Sequence, residues 1–192
     1  MSKFIKRLRK KIEPNKIRFF GCGEYGSKLG RPHYHLCLFN CDFPDKTLIR
    51  ANSYRLTGKG LKKGNTNNLY SSKMLEKIWK KGFVTIGDLT FESAGYVARY
   101  ITKKITGQPA PKYYKEKHPE FALMSRNPGI GTSWLKKYFS DVYPKDFHTL
   151  KGVKMRPSRF YDAICKRENP ELFENIKKKR IKSAQNGEDI KK

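Results

Sequence analysis

The sequence predicts an α+β fold in which an antiparallel sheet carries helices on one face. Along the chain, the predicted order of elements is helix, strand, strand, helix, strand, helix. A glycine-rich turn, GEYGSKLGRP, separates the first two strands. Strands joined by a short turn pair antiparallel, because a parallel pair needs a longer crossover. The pattern GxxxxGK followed by Ser or Thr is absent, so ATP hydrolysis is not expected.

Each element follows from hydrophobic periodicity and from the residues that begin or end it. Residues 3–12 place apolar side chains at helical spacing, and Pro14 ends that helix. Ser71 or Ser72 can cap a second helix. Residues 41–68 are polar with little periodicity, which predicts a long surface loop. The predicted helices cover 3–12, 72–81, 92–106 and 133–139, and the predicted strands cover 16–23, 33–40 and 83–89.

The composition favours a polyanionic partner. The 192 residues include 43 Lys and Arg against 17 Asp and Glu, a formal net charge of +26. Nucleic acid is the commonest partner of such an excess, and a membrane surface is the alternative. No apolar run is long enough to span a membrane, and no apolar stretch of a signal peptide follows the basic start MSKFIKRLRKK. We therefore expect a cytoplasmic protein that does not bind a membrane.

The cysteines do not indicate a metal site. The chain has four, Cys22, Cys37, Cys41 and Cys165, and none of them forms a Cys-x-x-Cys pair. Their spacing matches no zinc pattern, so we expect packed thiols.

A pair of histidines, His33 and His35, begins the second predicted strand, in the stretch GRPHYHLCLF. Side chains alternate between the two faces of a strand, so both imidazoles project from the same face. A hairpin would bring Glu24 back beside His33. Two imidazoles and one carboxylate suit a divalent ion such as Mg²⁺ or Mn²⁺. The alternative is that the two histidines only pack or face solvent.

A pair of tyrosines marks the helix GYVARYITKK. Tyr96 and Tyr100 are four residues apart and therefore share one helical face, with Lys103 between and below them and Lys104 close by. A tyrosine hydroxyl can attack a phosphodiester and become covalently attached. Its reference pKa of about 10 makes it a weak nucleophile, so a metal or a base must assist and lysines must offset charge. The alternative is half-buried packing.

The two motifs together resemble a known family. RPHYHLCLF is similar to the His-hydrophobic-His motif of HUH endonucleases, and GYVARYITKK is similar to the two-tyrosine form of their tyrosine motif. The segments FFGCGEYGSKLGRPHYHLCLFN, FESAGYVARYITKK and SRNPGIGTSWLKKY resemble the replication initiators of microviruses, small phages with circular single-stranded DNA. The resemblance extends over most of residues 1–160.

The resemblance implies an HUH-like fold and rolling-circle DNA replication. One tyrosine attacks an origin phosphate, which gives a 5′-phosphotyrosine link and a 3′-OH that primes a host polymerase. The second tyrosine cleaves after one round, and the 3′-OH then closes a circle. The implied site consists of two nucleophiles, two candidate lysines and three ligands of Mg²⁺ or Mn²⁺: Tyr96, Tyr100, Lys103, Lys104, His33, His35 and Glu24.

The resemblance also implies partners and a domain organisation. The partners are single-stranded or melted origin DNA and a host helicase and polymerase, in the cytoplasm of a bacterial host. We expect a nicking and joining domain at 1–150 and a basic, partly disordered extension at 151–192. The family usually has a central strand upstream of the first helix, whereas this chain begins at the helix. We expect either a short version of the fold or a chain start that misses that strand.

Two other functions compete with the nicking enzyme. A non-catalytic nucleic-acid-binding protein would explain the charge, but it gives no reason for the two motifs. A metal phosphoesterase that uses water would need more metal ligands than this sequence offers.

Overall fold

The structure is a computed structural model that describes residues 1–26, 29–50, 54–57, 60–63 and 68–185, apart from the side chains of residues 50, 54–57, 60–63 and 103. It separates into two compact units, Met1–Arg126 and Asn127–Lys192. The expected boundary at residue 150 concerns function and stays a prediction.

The first unit contains the sheet and most of the predicted elements. In chain order, its elements are α1 (Ser2–Lys11), β1 (Arg18–Tyr25), β2 (Pro32–Phe39), β3 (Thr47–Arg50), β4 (Tyr54–Thr57), β5 (Gly60–Lys63), β6 (Leu69–Ser71), α2 (Lys73–Trp79), α3 (Phe91–Arg99), a 3₁₀-helix (Tyr100–Lys103), α4 (Pro109–Tyr114) and β7 (Phe121–Met124).

An antiparallel three-stranded sheet lies at the centre of this unit, in the order β2-β1-β7. The predicted hairpin is confirmed, because β1 pairs with β2 without interruption from Arg18 opposite Phe39 to Tyr25 opposite Pro32. The predicted α+β class is also confirmed. Strand β7 was not predicted, and it pairs with the other edge of β1.

Helices cover both faces of the sheet, whereas the sequence predicted helices on one face. Phe19, Leu36 and Leu38 belong to an apolar core with the buried side chains of α1 and α2. On the opposite face, the Cys22 thiol donates to the carbonyl of Val97 in α3 at 3.7 Å. Side chains alternate along β1 and β2, so each face has its own apolar positions to bury.

Three other predictions need correction. The segment 41–68 is not one long loop, because β3 pairs with β6 and β4 pairs with β5; residues 51–53, 58–59 and 64–67 lie outside the described ones. The predicted strand 83–89 is wrong, since Ile86 forms only an isolated bridge with Tyr70. The predicted helix 92–106 is α-helical only to Arg99.

Helix α2 begins as predicted. The Leu75 N–H donates to the Ser72 side chain at 3.0 Å, which caps the helix. The packed-thiol prediction is confirmed as well, because all four cysteines are free and only Cys41 is not fully buried. None of the helices in the described ranges combines the length and apolar character needed to cross a membrane.

The second unit is helical with one short hairpin, and its last two helices were not predicted. Its elements are α5 (Thr132–Lys137), α6 (Phe139–Val142), β8 (His148–Leu150), β9 (Val153–Met155), α7 (Arg159–Glu168) and α8 (Pro170–Gln185). Buried Leu135, Val142 and Ile164 belong to its apolar core. Arg180 of α8 donates hydrogen bonds to the carboxylates of Asp146 and Asp162, which tie α8 to the rest of the unit.

Candidate active site

The hairpin of β1 and β2 places the three predicted metal ligands on one face of the sheet. Glu24 is paired directly with His33, and Cys22 is paired with His35. Directly paired residues of antiparallel strands project from the same face. Glu24, His33 and His35 therefore lie on one face at the end of the hairpin, next to the turn.

Glu24 and His35 are in direct contact. Oε1 of Glu24 lies 3.1 Å from Nε2 of His35, and Glu24 is only 7% exposed. A buried carboxylate is costly without a partner, so this contact compensates the burial of Glu24 and orients the imidazole. His33 is exposed, and a Cβ on Gly26 would lie 2.6 Å from its Cε1 atom. The His33 ring therefore packs closely on the backbone of Gly26.

Helix α3 brings the tyrosine motif to this same face. The helix begins with a capping box, in which the Ser93 N–H donates to the Thr90 side chain at 3.2 Å and the Thr90 N–H donates to the Ser93 side chain at 2.8 Å. The bond from Cys22 to the Val97 carbonyl places the middle of the helix over β1. The tyrosines thus project from a helix that is fixed both at its start and on the sheet.

Tyr100 stacks on His35. The ring centroids are 3.9 Å apart and the ring planes differ by 10°. Tyr96 meets the same imidazole edge-on, at 6.4 Å between centroids. The hydroxyls of Tyr96 and Tyr100 are hydrogen-bonded to each other. Glu24, His35, Tyr100 and Tyr96 form one continuous cluster, although they come from distant parts of the sequence.

This cluster disfavours additional negative charge. Burial raises the pKa of Tyr100 well above its ordinary value, and the hydrogen bond from Tyr96 and the charge of Glu24 raise it further. Burial and the charge of Glu24 likewise raise the pKa of the Cys22 thiol to about 11. A phenolate at this place therefore requires a positive charge nearby.

The basic side chains differ from the prediction in their placement. Residues 100–103 form a 3₁₀-helix with three residues per turn, so α-helical spacing does not place Lys103. Its side chain lies outside the described residues, and Lys104 is exposed at the end of this helix. The sequence analysis missed Arg99, whose guanidinium lies 6.0 Å from the centroid of the Tyr96 ring. The signal was present, because Arg99 follows Tyr96 at a spacing of three.

The donor set of the cluster fits a divalent cation, although the ligands are not yet gathered around one point. Among the residues that the structure describes, no three His, Cys, Asp or Glu side chains are placed to bind a metal ion together. The Glu24 carboxylate and the His35 imidazole touch, and His33 is the direct neighbour of Glu24 across the strands. Carboxylate and imidazole ligands suit Mg²⁺ or Mn²⁺, which stays a prediction.

Comparison with known proteins places the chain in a family. Residues 1–105 match the family model of the replication-associated protein ORF2. The replication-associated protein ORF2 of Spiroplasma virus 4 is 36% identical over 197 residues, which cover 96% of this chain and 56% of that protein. Replication-associated protein VP4 of Bdellovibrio phage phiMH2K is 30% identical over 179 residues, which cover 88% of this chain and 52% of that protein.

A third relative matches over a shorter stretch. Replication-associated protein ORF4 of Chlamydia phage 1 is 38% identical over 104 residues, which cover 53% of this chain and 24% of that protein. No solved structure matches the chain. The chain spans about half the length of the first two relatives. The predicted resemblance to phage replication proteins is confirmed, and the chain belongs to the family of the replication-associated protein ORF2.

Proposed function

We propose that this chain carries the nicking and joining activity of a phage rolling-circle replication initiator. It acts as a metal-dependent, site-specific endonuclease and strand transferase on single-stranded or melted origin DNA. The observation that carries the proposal is the stacking of Tyr100 on His35, at 3.9 Å between ring centroids. It joins the tyrosine motif and the histidine motif in one cluster, as a phosphotyrosine-forming enzyme requires.

The reaction exchanges one phosphodiester for another. The oxygen of Tyr96 or Tyr100 attacks the phosphorus, and the bond from phosphorus to the 3′-oxygen breaks. The tyrosine becomes linked to the 5′-phosphate, and its proton is transferred to the leaving 3′-oxygen, which becomes a free hydroxyl. Because the two bonds are similar in energy, the reverse step can join strands. A host polymerase then extends the 3′-OH while a host helicase unwinds the duplex, in the cytoplasm of the bacterial host.

Each part of the cluster has a role in this reaction. Glu24, His33 and His35 would bind Mg²⁺ or Mn²⁺, which supplies positive charge to polarise the phosphate. His35 also positions Tyr100 by stacking, and Tyr96 by its ring edge. Arg99 and Lys104, with Lys103, supply positive charge for the phosphate oxygens, whose charge increases in the transition state.

A covalent-adduct assay tests the proposal. Single-stranded oligonucleotides that tile the genome encoding the chain are labelled at the 3′ end and incubated with protein and Mn²⁺. Because the tyrosine keeps the 5′-phosphate, the 3′-labelled fragment should migrate with the protein on a denaturing gel. The Tyr96→Phe and Tyr100→Phe double variant should give no adduct, since a phenyl ring has no nucleophile.

Tyr113→Phe is the matched control. Tyr113 is 53% exposed and Tyr96 is 51% exposed, but Tyr113 packs on Tyr114 away from the cluster. The control should form the adduct at the wild-type level. Binding without cleavage of any oligonucleotide would favour the non-catalytic binding protein, and cleavage without an adduct would favour a water-using phosphoesterase. Either result would contradict the proposal.

A further inference from the structure

An open pocket of about 390 Å³ lies at the end of the sheet next to the candidate active site. Gly23, Tyr34 and Phe121 contribute to it from the face opposite to the tyrosine helix, as strand alternation requires. Its volume is within the range of about 300–1,000 Å³ that small-molecule pockets cover. No role in the nicking chemistry has been given to these residues.

The walls of the pocket are aromatic and partly exposed. Tyr34 is 44% exposed and Phe121 is 37% exposed, with 6.4 Å between their ring centroids. A Cβ on Gly23 would lie 2.6 Å from the Phe121 ring, so the absence of a side chain lets this ring lie against β1. The Tyr25 hydroxyl donates to the His118 carbonyl at 3.0 Å, which fixes a third ring. Exposed ring faces of this kind stack on nucleobases.

A buried carboxylate lies in the pocket lining. Glu120 is only 6% exposed, and the Tyr114 hydroxyl donates to its Oε2 atom. Tyr114 also accepts the Ile105 N–H at 2.8 Å, so its own position is fixed. A carboxylate offers about four acceptor positions, and Tyr114 uses one of them. Glu120 is therefore a preorganised acceptor for further donors.

The charge of the pocket is opposite to that of the chain. Glu24 and Glu120 line it, and no Lys or Arg of the described residues does, although the formal net charge is +26. Such a lining repels phosphate and attracts groups that donate hydrogen bonds. Lys117 lies at the edge, with its Nζ atom 5.3 Å from the centroid of the Tyr25 ring. A phosphate can lie near that ammonium while its base enters the pocket.

We infer that this pocket binds a guanine base of single-stranded DNA, with the Glu120 carboxylate accepting from the Watson–Crick edge. Guanine presents N1–H and N2–H₂ side by side on that edge, which matches the two oxygens of a carboxylate. Thymine and cytosine present fewer donors there, and the aromatic walls stack on any base. The choice of DNA as the ligand rests on the proposed function, and guanine recognition deepens it.

Binding of short oligonucleotides in EDTA tests this inference without any need for nicking. The probes are twelve-residue oligothymidylates with a central dT, dG or deoxyinosine, and anisotropy gives each dissociation constant. The dG probe should bind about tenfold more tightly than the dT probe, as expected of a bidentate contact. Deoxyinosine lacks the 2-amino group and should fall between them.

Three variants separate the contacts. Glu120→Gln still accepts from Tyr114 but offers one acceptor oxygen, so the preference for dG should disappear. Tyr114→Phe leaves the carboxylate in place and should keep the preference. Phe121→Leu should weaken all probes by a similar factor, because it removes the stacking surface and leaves the acceptor. Thermal melting confirms that each variant is folded.

Each comparison has an outcome that counts against guanine recognition. Equal affinities of the wild type for dG, deoxyinosine and dT, or a dG preference that survives Glu120→Gln, would overturn the inference. Loss of the preference in folded Tyr114→Phe would assign it to the hydroxyl and overturn the role of the carboxylate. A dG preference without a covalent adduct would leave the pocket standing and contradict only the proposed nicking function.

Discussion

His35 has two separable roles, and two substitutions distinguish them. His35→Ala removes the ring nitrogens and the ring that stacks on Tyr100 at 3.9 Å, whereas His35→Phe removes only the nitrogens. Stacking of this kind contributes about 0.5–1.5 kcal/mol. Loss of the nitrogen 3.1 Å from Glu24 leaves a buried carboxylate without this partner, which costs about 1–3 kcal/mol.

We therefore expect the free energy of unfolding to fall by about 2–4 kcal/mol in His35→Ala and by about 1–3 kcal/mol in His35→Phe. Both variants should lose adduct formation by at least about 100-fold, because neither can bind a cation. Urea denaturation measures the first quantity and the gel assay measures the second.

The His35→Phe variant can refute the metal role of the imidazole. If it formed the adduct within about tenfold of the wild type, His35 would act by packing on Tyr100 and would not be a metal ligand. Low-salt DNA binding should stay within about twofold of the wild type in both variants, because the dispersed Lys and Arg supply most of it. This control shows that a lost adduct is not lost DNA binding.

Three further predictions follow from other parts of the chain. Arg180→Ala should lower the free energy of unfolding by about 2–3 kcal/mol at pH 7, measured in urea, because it leaves partly buried carboxylates unpaired. Burial raises the pKa of Asp162, but hydrogen bonds from Arg180 lower it by more, so this difference should be constant above about pH 4 and vanish as the pH falls further; an equal difference at pH 2 would contradict it. Gly23→Ala should reduce the melting temperature and weaken oligonucleotide binding, because its Cβ would lie 2.6 Å from the Phe121 ring. Iodoacetamide at pH 8 should label Cys41 first, since it alone among the four cysteines is not fully buried, and mass spectrometry of peptides identifies the site.

Elements with strong local patterns were predictable from the sequence. Helix α1 buries Phe4, Ile5 and Leu8, which follow helical spacing. The hairpin was predictable because a glycine-rich turn separates two runs rich in aromatic and aliphatic residues. The placement of His33 and His35 on one face with Glu24 followed from alternation alone, since the hairpin register pairs Glu24 with His33.

Elements that depend on distant partners were not predictable. Strand β7 has only four residues, and it is a strand because it pairs with β1. The segment 83–89 has apolar alternation, but Phe83 is 99% exposed and no strand in the described part of the chain pairs along it. Helix α8 has a mixed basic sequence, and Arg180 fixes it through two carboxylates far away in the sequence. The contact of Tyr100 with His35 also depends on tertiary structure, so the sequence could only suggest it.

Strand β1 joins the two proposed sites, and this predicts the distance between them on the DNA. Glu24 projects toward the tyrosines and its neighbour Gly23 lies beneath the Phe121 ring, so the sites are on opposite faces of one strand. Packed layers on a sheet are about 10 Å apart, and one nucleotide spans at least about 3.4 Å. The recognised guanine should therefore lie within about three nucleotides of the cleaved phosphate.

Moving a single dG along an oligonucleotide with a fixed cleavage position tests this spacing. Adduct formation should be fastest with the dG at one position near the cut and should fall by about tenfold when the dG is moved further away. In Glu120→Gln the rate should not depend on the dG position, because the acceptor pair is lost. If the wild-type rate were also independent of the dG position, guanine binding and cleavage would be unconnected events on this chain. The adjacency of Gly23 and Glu24 in β1 would then have no functional meaning.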